Sequence, residues 1–243
     1  MFPLRDENPT TLSPRITFGV IAACTAVWVF LQGAGMSEET FYSSICNLGA
    51  IPAELTGSFN MNTQQGPCPT GGLGWPALFT SMFSHGSWFH LLSNCWMLWI
   101  FGDNIEDSMG HLRFLAFFIL TGLIAGGAHT FMSPDSNIPM VGASGAISGV
   151  MGAYFILYPK ARIKTLVVFF YFFRIMPIPA WVFLGIWIGM QFLGLGAAAT
   201  GDGGGIAYAA HLGGLFAGLG LVFLFRKTKP ATAWMRTRAY CLK

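Results

Sequence analysis

The sequence predicts an all-α membrane protein, a bundle of six transmembrane helices with both termini in the cytoplasm. Composition is the first reason: 53% of the 243 residues are hydrophobic and only 9% are charged, whereas a soluble domain carries about 25% charged residues. The mean hydropathy of +0.57 agrees with this. The second reason is that apolar segments of nearly membrane-crossing length recur along the whole chain.

The apolar segments differ in length and content. A helix that crosses the hydrocarbon needs about 17–25 residues, and the fourth segment is short and rich in small residues. Between the fourth and fifth segments, the stretch 165–176 is apolar but ends at two prolines, which favours a shallow interfacial loop or a strand-like stretch. The predicted spans cover 16–31, 79–102, 112–132, 141–158, 178–198 and 206–225.

These spans define the domain organisation. We expect a cytoplasmic segment over 1–15, one membrane domain over 16–225 and a cytoplasmic tail over 226–243. A long outer loop, 33–76, follows the first span. Because a polar stretch with Asp6 and Glu7 precedes that span, we interpret it as a retained helix; a cleaved signal sequence is the alternative.

Basic residues predict the orientation. With the N-terminus inside, all 13 lysines and arginines fall in inner loops or at the inner interface, as the positive-inside rule requires. The outer loops then carry only acidic residues. An even number of spans agrees with this arrangement, because both termini lie on the same side.

Two cysteines, Cys46 and Cys68, share the long outer loop. An oxidising exterior would allow a disulfide between them. Two unrelated thiols are the alternative, since sequence alone does not determine connectivity.

Polar side chains inside the spans suggest a catalytic site. Such groups are costly in a membrane and usually functional. Ser144 heads the fourth span, and His211 in the sixth span is a suitable base to activate it. His90 and Asn94 are four residues apart on one helical face, so both could donate hydrogen bonds to an oxyanion. The backbone N–H of Ser144 is a further donor, because it lies at a helix N-terminus.

Small residues predict close contact between the fourth and sixth spans. Gly142 and Gly145 flank Ser144, and Gly214 and Gly218 follow His211. Glycines at such spacing let two membrane helices approach closely. Each motif alone is typical of ordinary helix packing, but their joint occurrence in different spans favours a site.

Three motifs together resemble the rhomboid family of intramembrane serine proteases. They are HGSWFHLLSN at 85–94, GASG at 142–145 and AHLGG at 210–214, and the resemblance extends over residues 15–225. It implies that Ser144 is the nucleophile and His211 its base, in a dyad without an acid. It also implies that His90 and Asn94 supply the oxyanion side chains.

The resemblance assigns supporting roles as well. His85 would line a water-filled cavity, Glu106 would be a structural acid near the inner end of the second span, and the fifth span would be a mobile gate. The sequence departs from the family at one position near the site. Many members have a tyrosine four residues after the nucleophile, packed on the histidine ring, whereas this chain has Ser148.

The predicted function is endopeptidase cleavage of single-span membrane proteins inside the bilayer of a bacterial inner membrane, without a cofactor or metal. The lipid bilayer and these substrates are the expected partners. No nucleic acid is expected, because a net charge of +3 gives no basic surface. An inactive relative that only binds membrane proteins is the alternative. A metalloprotease is disfavoured by the lack of a His-Glu-x-x-His motif.

Overall fold

The structure is a computed structural model that describes residues 1–59, 68, 71–169, 172–199 and 207–227. Most of the described chain is helical, and strands occur near the N-terminus and in the middle. The elements are β1 (Phe2–Asp6), α1 (Arg15–Ala26), a π-helical turn (Val27–Leu31), a 3₁₀ turn (Gly33–Gly35), α2 (Glu38–Leu48), α3 (Pro52–Thr56), α4 (Ala77–Thr80), α5 (Trp88–Met109), α6 (His111–Met132), α7 (Ser144–Leu157), β2 (Arg162–Phe169), β3 (Phe172–Pro179), α8 (Ala180–Ala199) and α9 (Tyr208–Phe225).

Three helices of the described chain, α6, α8 and α9, are long and apolar enough to cross a membrane. The apolar helix of residues 15–31 and α7 are shorter. Helix α5 is as long as α6, but its second half carries Asp103, Glu106 and Asp107. Each predicted span therefore corresponds to a helix, although the lengths are unequal.

The central helix of the bundle is α7. Every residue from Gly145 to Tyr154 is buried, and α7 packs against α5, α6 and α9. The main hydrophobic core surrounds it and includes Phe101, Phe114 and Phe117, each with 0% exposure. The middle of this short helix is buried because neighbouring helices, rather than lipid, surround it.

Helix starts differ from the predicted spans by three residues or more at two places, and local backbone effects explain both. The second predicted span begins at 79, but α5 begins only at Trp88, because the Ser87 hydroxyl caps the helix by accepting from His90 N. The fourth predicted span begins at 141, but α7 begins at Ser144. Gly142 has φ +117°, which is incompatible with a right-handed helix.

A three-stranded antiparallel sheet corrects the prediction of an all-α fold. Strand β2 is central, with β1 and β3 on its two sides. In β2, Ile163 and Thr165 are buried at alternate positions, the two-residue period of a strand that packs on one face. Of the stretch 165–176, the described parts 165–169 and 172–176 are therefore strand rather than loop. The pairing of β1 with β2 joins positions such as Phe2 and Leu166 that are far apart in sequence.

The inner end of α5 anchors the N-terminal segment. The Glu106 carboxylate accepts hydrogen bonds from the backbone N–H groups of Ile16 (2.9 Å) and Thr17 (2.8 Å) at the start of α1. Asp107 does the same for Thr11 and Leu12 at 3.1 and 3.0 Å. Glu106 therefore caps the N-terminus of α1, and this contact explains how it can act as a structural acid.

The outer loop is fastened to the bundle at several points. Cys46 and Cys68 form a disulfide, the pairing that the sequence left open. Ala50 pairs with Met140 through hydrogen bonds of 3.0 and 2.8 Å between their backbones. This bridge holds the segment that leads directly into α7.

Candidate active site

The approach to Ser144 is a tightly held turn. The backbone N–H of Gly142 donates to the Ser81 carbonyl at 2.8 Å. A Cβ on Gly142 would lie 2.6 Å from His90 Nε2 and 3.4 Å from Asn94 Nδ2. Only glycine fits this position, because of both its positive φ and this close approach. Ser144 follows as the first residue of α7, so its backbone N–H lies outside the helical ladder.

Ser144 and His211 are in hydrogen-bond contact. Their Oγ and Nε2 atoms are 2.8 Å apart, which is a normal distance for a serine hydroxyl and its base. Ser144 begins α7, and His211 lies in the first turn of α9. Both residues are half-buried, so the pair is shielded without being sealed off.

Glycines bring the two helices close enough for this contact. A Cβ on Gly214 would overlap with the carbonyl oxygen of Gly145, and one on Gly218 would overlap with that of Gly149. Helices α7 and α9 thus touch backbone to backbone, as the small residues predicted.

His211 is held by residues that sequence reasoning did not assign to it. Its Nδ1 lies 2.8 Å from Gln191 Oε1. The centroids of the Trp187 and Tyr208 rings lie 6.1 and 6.4 Å from the centroid of the His211 ring. The Ser148 hydroxyl instead donates to the Ser144 carbonyl at 2.7 Å, and among the described residues no hydrogen bond joins it to the histidine. The available signal was that Gln191 alone in α8 carries a side-chain amide, hydroxyl or charge.

The His90 side chain presents a donor toward the Ser144 region. The backbone N–H of Gly86 donates to His90 Nδ1 at 3.3 Å. Because Nδ1 accepts, the proton of the neutral ring is on Nε2. That nitrogen lies beside Gly142, two residues before Ser144.

Asn94 lies one helical turn after His90, and its side chain also faces the backbone turn at Gly142. It is 7% exposed. Its Nδ2 is buried and has no hydrogen-bond partner among the described residues. A buried amide without a partner is costly, and such a donor would be satisfied by a negatively charged oxygen formed next to it.

His85 occupies a different position from the one predicted. It precedes α5 instead of lying in a helix, and it is fully buried. The Gln32 amide clamps its backbone through two hydrogen bonds of 2.8 Å. The His85 ring contacts that of His90 with centroids 5.2 Å apart. His85 therefore supports His90 and does not reach the dyad through any hydrogen bond recorded among the described residues.

The described part of the chain contains no group of three or more His, Cys, Asp and Glu side chains that could hold a metal ion.

Comparison with known proteins is decisive for the family. The family model of the rhomboid domain matches residues 73–228, more than half of the chain. The chain belongs to the rhomboid family. This confirms the resemblance inferred from the three motifs, and the match contains every residue of the candidate site.

Rhomboid relatives are found in mitochondria and in bacteria. Rhomboid protein 1 from mitochondria of Saccharomyces cerevisiae is 30% identical over 148 residues, which are 59% of this chain and 40% of the yeast protein. The rhomboid protein YdcA of Bacillus subtilis is 28% identical over 156 residues, 62% of this chain and 67% of YdcA. The human presenilin-associated rhomboid-like protein is 28% identical over 152 residues, 58% of this chain and 36% of its own length.

The rhomboid assignment determines the general class of the protein. It is a multi-pass membrane protein with a helical bundle. The matched region spans less than half the length of the mitochondrial relatives.

Proposed function

We propose that this rhomboid-family protein is an intramembrane serine endopeptidase, with Ser144 as the nucleophile and His211 as the general base. The observation that carries the proposal is the 2.8 Å contact between Ser144 Oγ and His211 Nε2. A serine is a poor nucleophile until a base accepts its proton. A hydroxyl and an imidazole held in contact at the N-termini of two helices have the geometry that this activation needs.

The proposed reaction proceeds by acyl transfer. Ser144 Oγ forms a bond to the scissile carbonyl carbon while its proton moves to His211 Nε2, and the carbonyl π electrons move to the oxygen. The intermediate collapses, the C–N bond breaks and His211 returns the proton to the leaving amine. Water then attacks the acyl-enzyme with His211 again as base, and Ser144 is regenerated.

The oxyanion would be stabilised by three donors, namely His90 Nε2–H, Asn94 Nδ2–H and the backbone N–H of Ser144. Two independent observations support this assignment. The hydrogen bond from Gly86 places the His90 proton on Nε2, and Asn94 Nδ2 is buried without a partner among the described residues. Removal of one such donor typically costs a factor of about 10²–10³ in kcat.

The proposed topology has six spans and cytoplasmic termini. Helices occupy all six predicted segments, and the one-sided distribution of the 13 basic residues supports the orientation. His90, Ser144 and His211 all lie in the first turns of their helices, which with this orientation supports a site in the outer half of the bilayer. Part of the predicted cytoplasmic tail, 228–243, lies outside the described residues.

The proposed substrates are single-span membrane proteins, and the proposed location is a bacterial inner membrane. Ser144 and His211 are half-buried within a helical bundle, so a substrate would have to reach them as an unfolded segment. The relative YdcA of Bacillus subtilis shows that proteins similar to this chain occur in bacteria, which is compatible with the proposed location.

The test is cleavage in proteoliposomes. A purified single-span reporter is incubated with the wild type, Ser144→Ala, His211→Ala and Asn94→Ala. We expect losses of at least about 10³-fold for the first two variants and of about 10²–10³-fold for the third. Ser148→Ala, the same change one turn further along α7, is the matched control and should retain activity.

Two results would overturn the proposal. Cleavage by Ser144→Ala at the wild-type rate would remove the assigned nucleophile. Binding of the reporter by the wild type, without cleavage and without labelling of Ser144 by a serine-directed fluorophosphonate, would favour the inactive binding protein.

A further inference from the structure

We propose that Gln191 is a positioning residue of the dyad, whose side-chain carbonyl selects the His211 tautomer that can act as a base. In that tautomer Nδ1 carries the proton and Nε2 is free to accept the proton of Ser144. This inference rests on the proposed function, because it explains how the base is prepared for that reaction.

The first step of the argument is the orientation of the Gln191 amide. Its Nε2 donates to the Trp187 carbonyl at 3.2 Å. A backbone carbonyl can only accept, so the nitrogen end of the amide must face it. The oxygen end, Oε1, is thereby turned toward His211 Nδ1, which lies 2.8 Å away.

The second step is that the orientation of the Gln191 amide determines which nitrogen of His211 carries the proton. Since Gln191 Oε1 can only accept, His211 Nδ1 must be the donor. A neutral imidazole has one protonated nitrogen, so Nε2 is left with its lone pair facing the hydroxyl of Ser144 at 2.8 Å. The side-chain carbonyl of Gln191 thus determines the direction of both hydrogen bonds of His211, the one at Nδ1 and the one with Ser144.

Burial makes this arrangement specific. Gln191 is 6% exposed, in a helix whose other side chains carry no amide, hydroxyl or charge. A buried amide is costly unless it is hydrogen-bonded, and both ends of this one are satisfied. Among the described residues, Gln191 Oε1 is the one hydrogen-bond partner of His211 Nδ1. No carboxylate among the described residues takes this place, so the orienting group there is neutral.

The position of α8 adds a consequence. Of the three long apolar helices, α8 has the smallest share of buried residues, 22% against 39% in both α6 and α9. The acceptor that prepares His211 therefore lies on the most peripheral of these helices. Displacement of α8 from α9 would remove the acceptor from Nδ1.

The test compares two substitutions of Gln191 in the full-length protein in proteoliposomes. Gln191→Met keeps the chain length but has no oxygen, and we expect kcat to fall by up to about 10²-fold, as when a catalytic group is misplaced, with KM changed less than about twofold. Gln191→Glu keeps an acceptor at the same reach. It should retain most of kcat at high pH and move the acidic limb of the kcat–pH profile to higher pH, because a carboxylate stabilises the imidazolium.

Controls separate positioning from stability and from the proposed function itself. Met190→Leu, at an exposed neighbouring position (52%) of α8, should leave kcat and its pH profile unchanged. If the wild type cleaves and Ser144→Ala does not, but Gln191→Met matches the wild type at every pH, this inference fails while the proposed function stands. The inference also fails if Gln191→Met loses activity only in proportion to a lowered Tm and Gln191→Glu leaves the pH profile in place.

Discussion

Gly214 in α9 lies against the carbonyl oxygen of Gly145 in α7, with no room for a methyl group between the two backbones. This contact is one residue after Ser144 on one helix and three residues after His211 on the other. The distance between the dyad atoms therefore depends directly on the separation of these two glycines.

We expect Gly214→Ala to separate α7 from α9 and to lengthen the contact between Ser144 and His211. Overpacking of this kind typically costs about 1–3 kcal/mol, and a misplacement of about 1 Å can lower activity about 10²-fold. Gly220→Ala is the matched control in the same helix, because a Cβ there meets nothing within 4 Å. Thermal unfolding and reporter cleavage are the measurements. Equal behaviour of the two variants would show that the glycine contact does not position the dyad.

Glu106 provides a prediction about stability away from the dyad. The residue is fully buried, and its two oxygens accept from Ile16 N, from Thr17 N and Oγ1, and from His111 Nδ1. Glu106→Gln would turn an amide NH₂ toward these donors. Because buried donors would lose their acceptor, we expect the free energy of unfolding to fall by about 3 kcal/mol. Glu39→Gln, on the exposed side of α2, should have little effect on thermal unfolding. An unchanged Tm for Glu106→Gln would contradict the capping role.

Asp6 in β1 predicts a pH dependence of stability. Its partial burial raises the pKa of the carboxyl from 3.8 to about 7, and nearby Asp103 acts in the same direction, while the hydrogen bond from Tyr154 opposes them. Between these two values the folded state binds a proton that the unfolded state has lost. Stability therefore falls as the pH rises from about 4 to about 7 and then levels off.

Thermal unfolding in detergent micelles at pH 5 and pH 8 tests this prediction. The wild type should lose more of its Tm between the two pH values than Asp6→Asn, which cannot ionise. Asn104 and Tyr154, which both donate to Asp6 Oδ2 at 2.7 and 2.8 Å, can still donate to the amide oxygen of that variant. If both proteins show the same change in Tm, the carboxyl of Asp6 does not titrate in this range.

Helix positions were largely predictable, whereas the sheet was predicted only in part, as the strand-like alternative for 165–176. Helix α6 runs from His111 to Met132, one residue longer than predicted, because an uninterrupted apolar run of this length has few alternatives in lipid. Strand β1, by contrast, lies in the polar segment 1–15, which the sequence predicts only as a cytoplasmic extension. Its pairing with β2 joins Phe2 to Leu166, and no local pattern encodes a contact over that separation.

The limits of the helices depended on single residues. The start of α5 is set by the Ser87 cap, which lies inside the predicted second span. Hydropathy averages over such a residue, so His85 was assigned to a helix that begins only after it. Capping and positive φ at Gly142 are local effects that a span-length window does not resolve.

The sequence by itself determined the residue types of the site and the helices that carry them, because Ser144, His211, His90 and Asn94 are polar groups that a membrane segment retains only for a reason. The tertiary structure alone decided what holds His211. It turns Ser148 back onto its own helix and brings Gln191 from α8 to Nδ1. A helix surrounded by lipid and protein is apolar on every side, so its sequence does not reveal which way it is rotated about its axis. That rotation decides which side chain reaches the histidine.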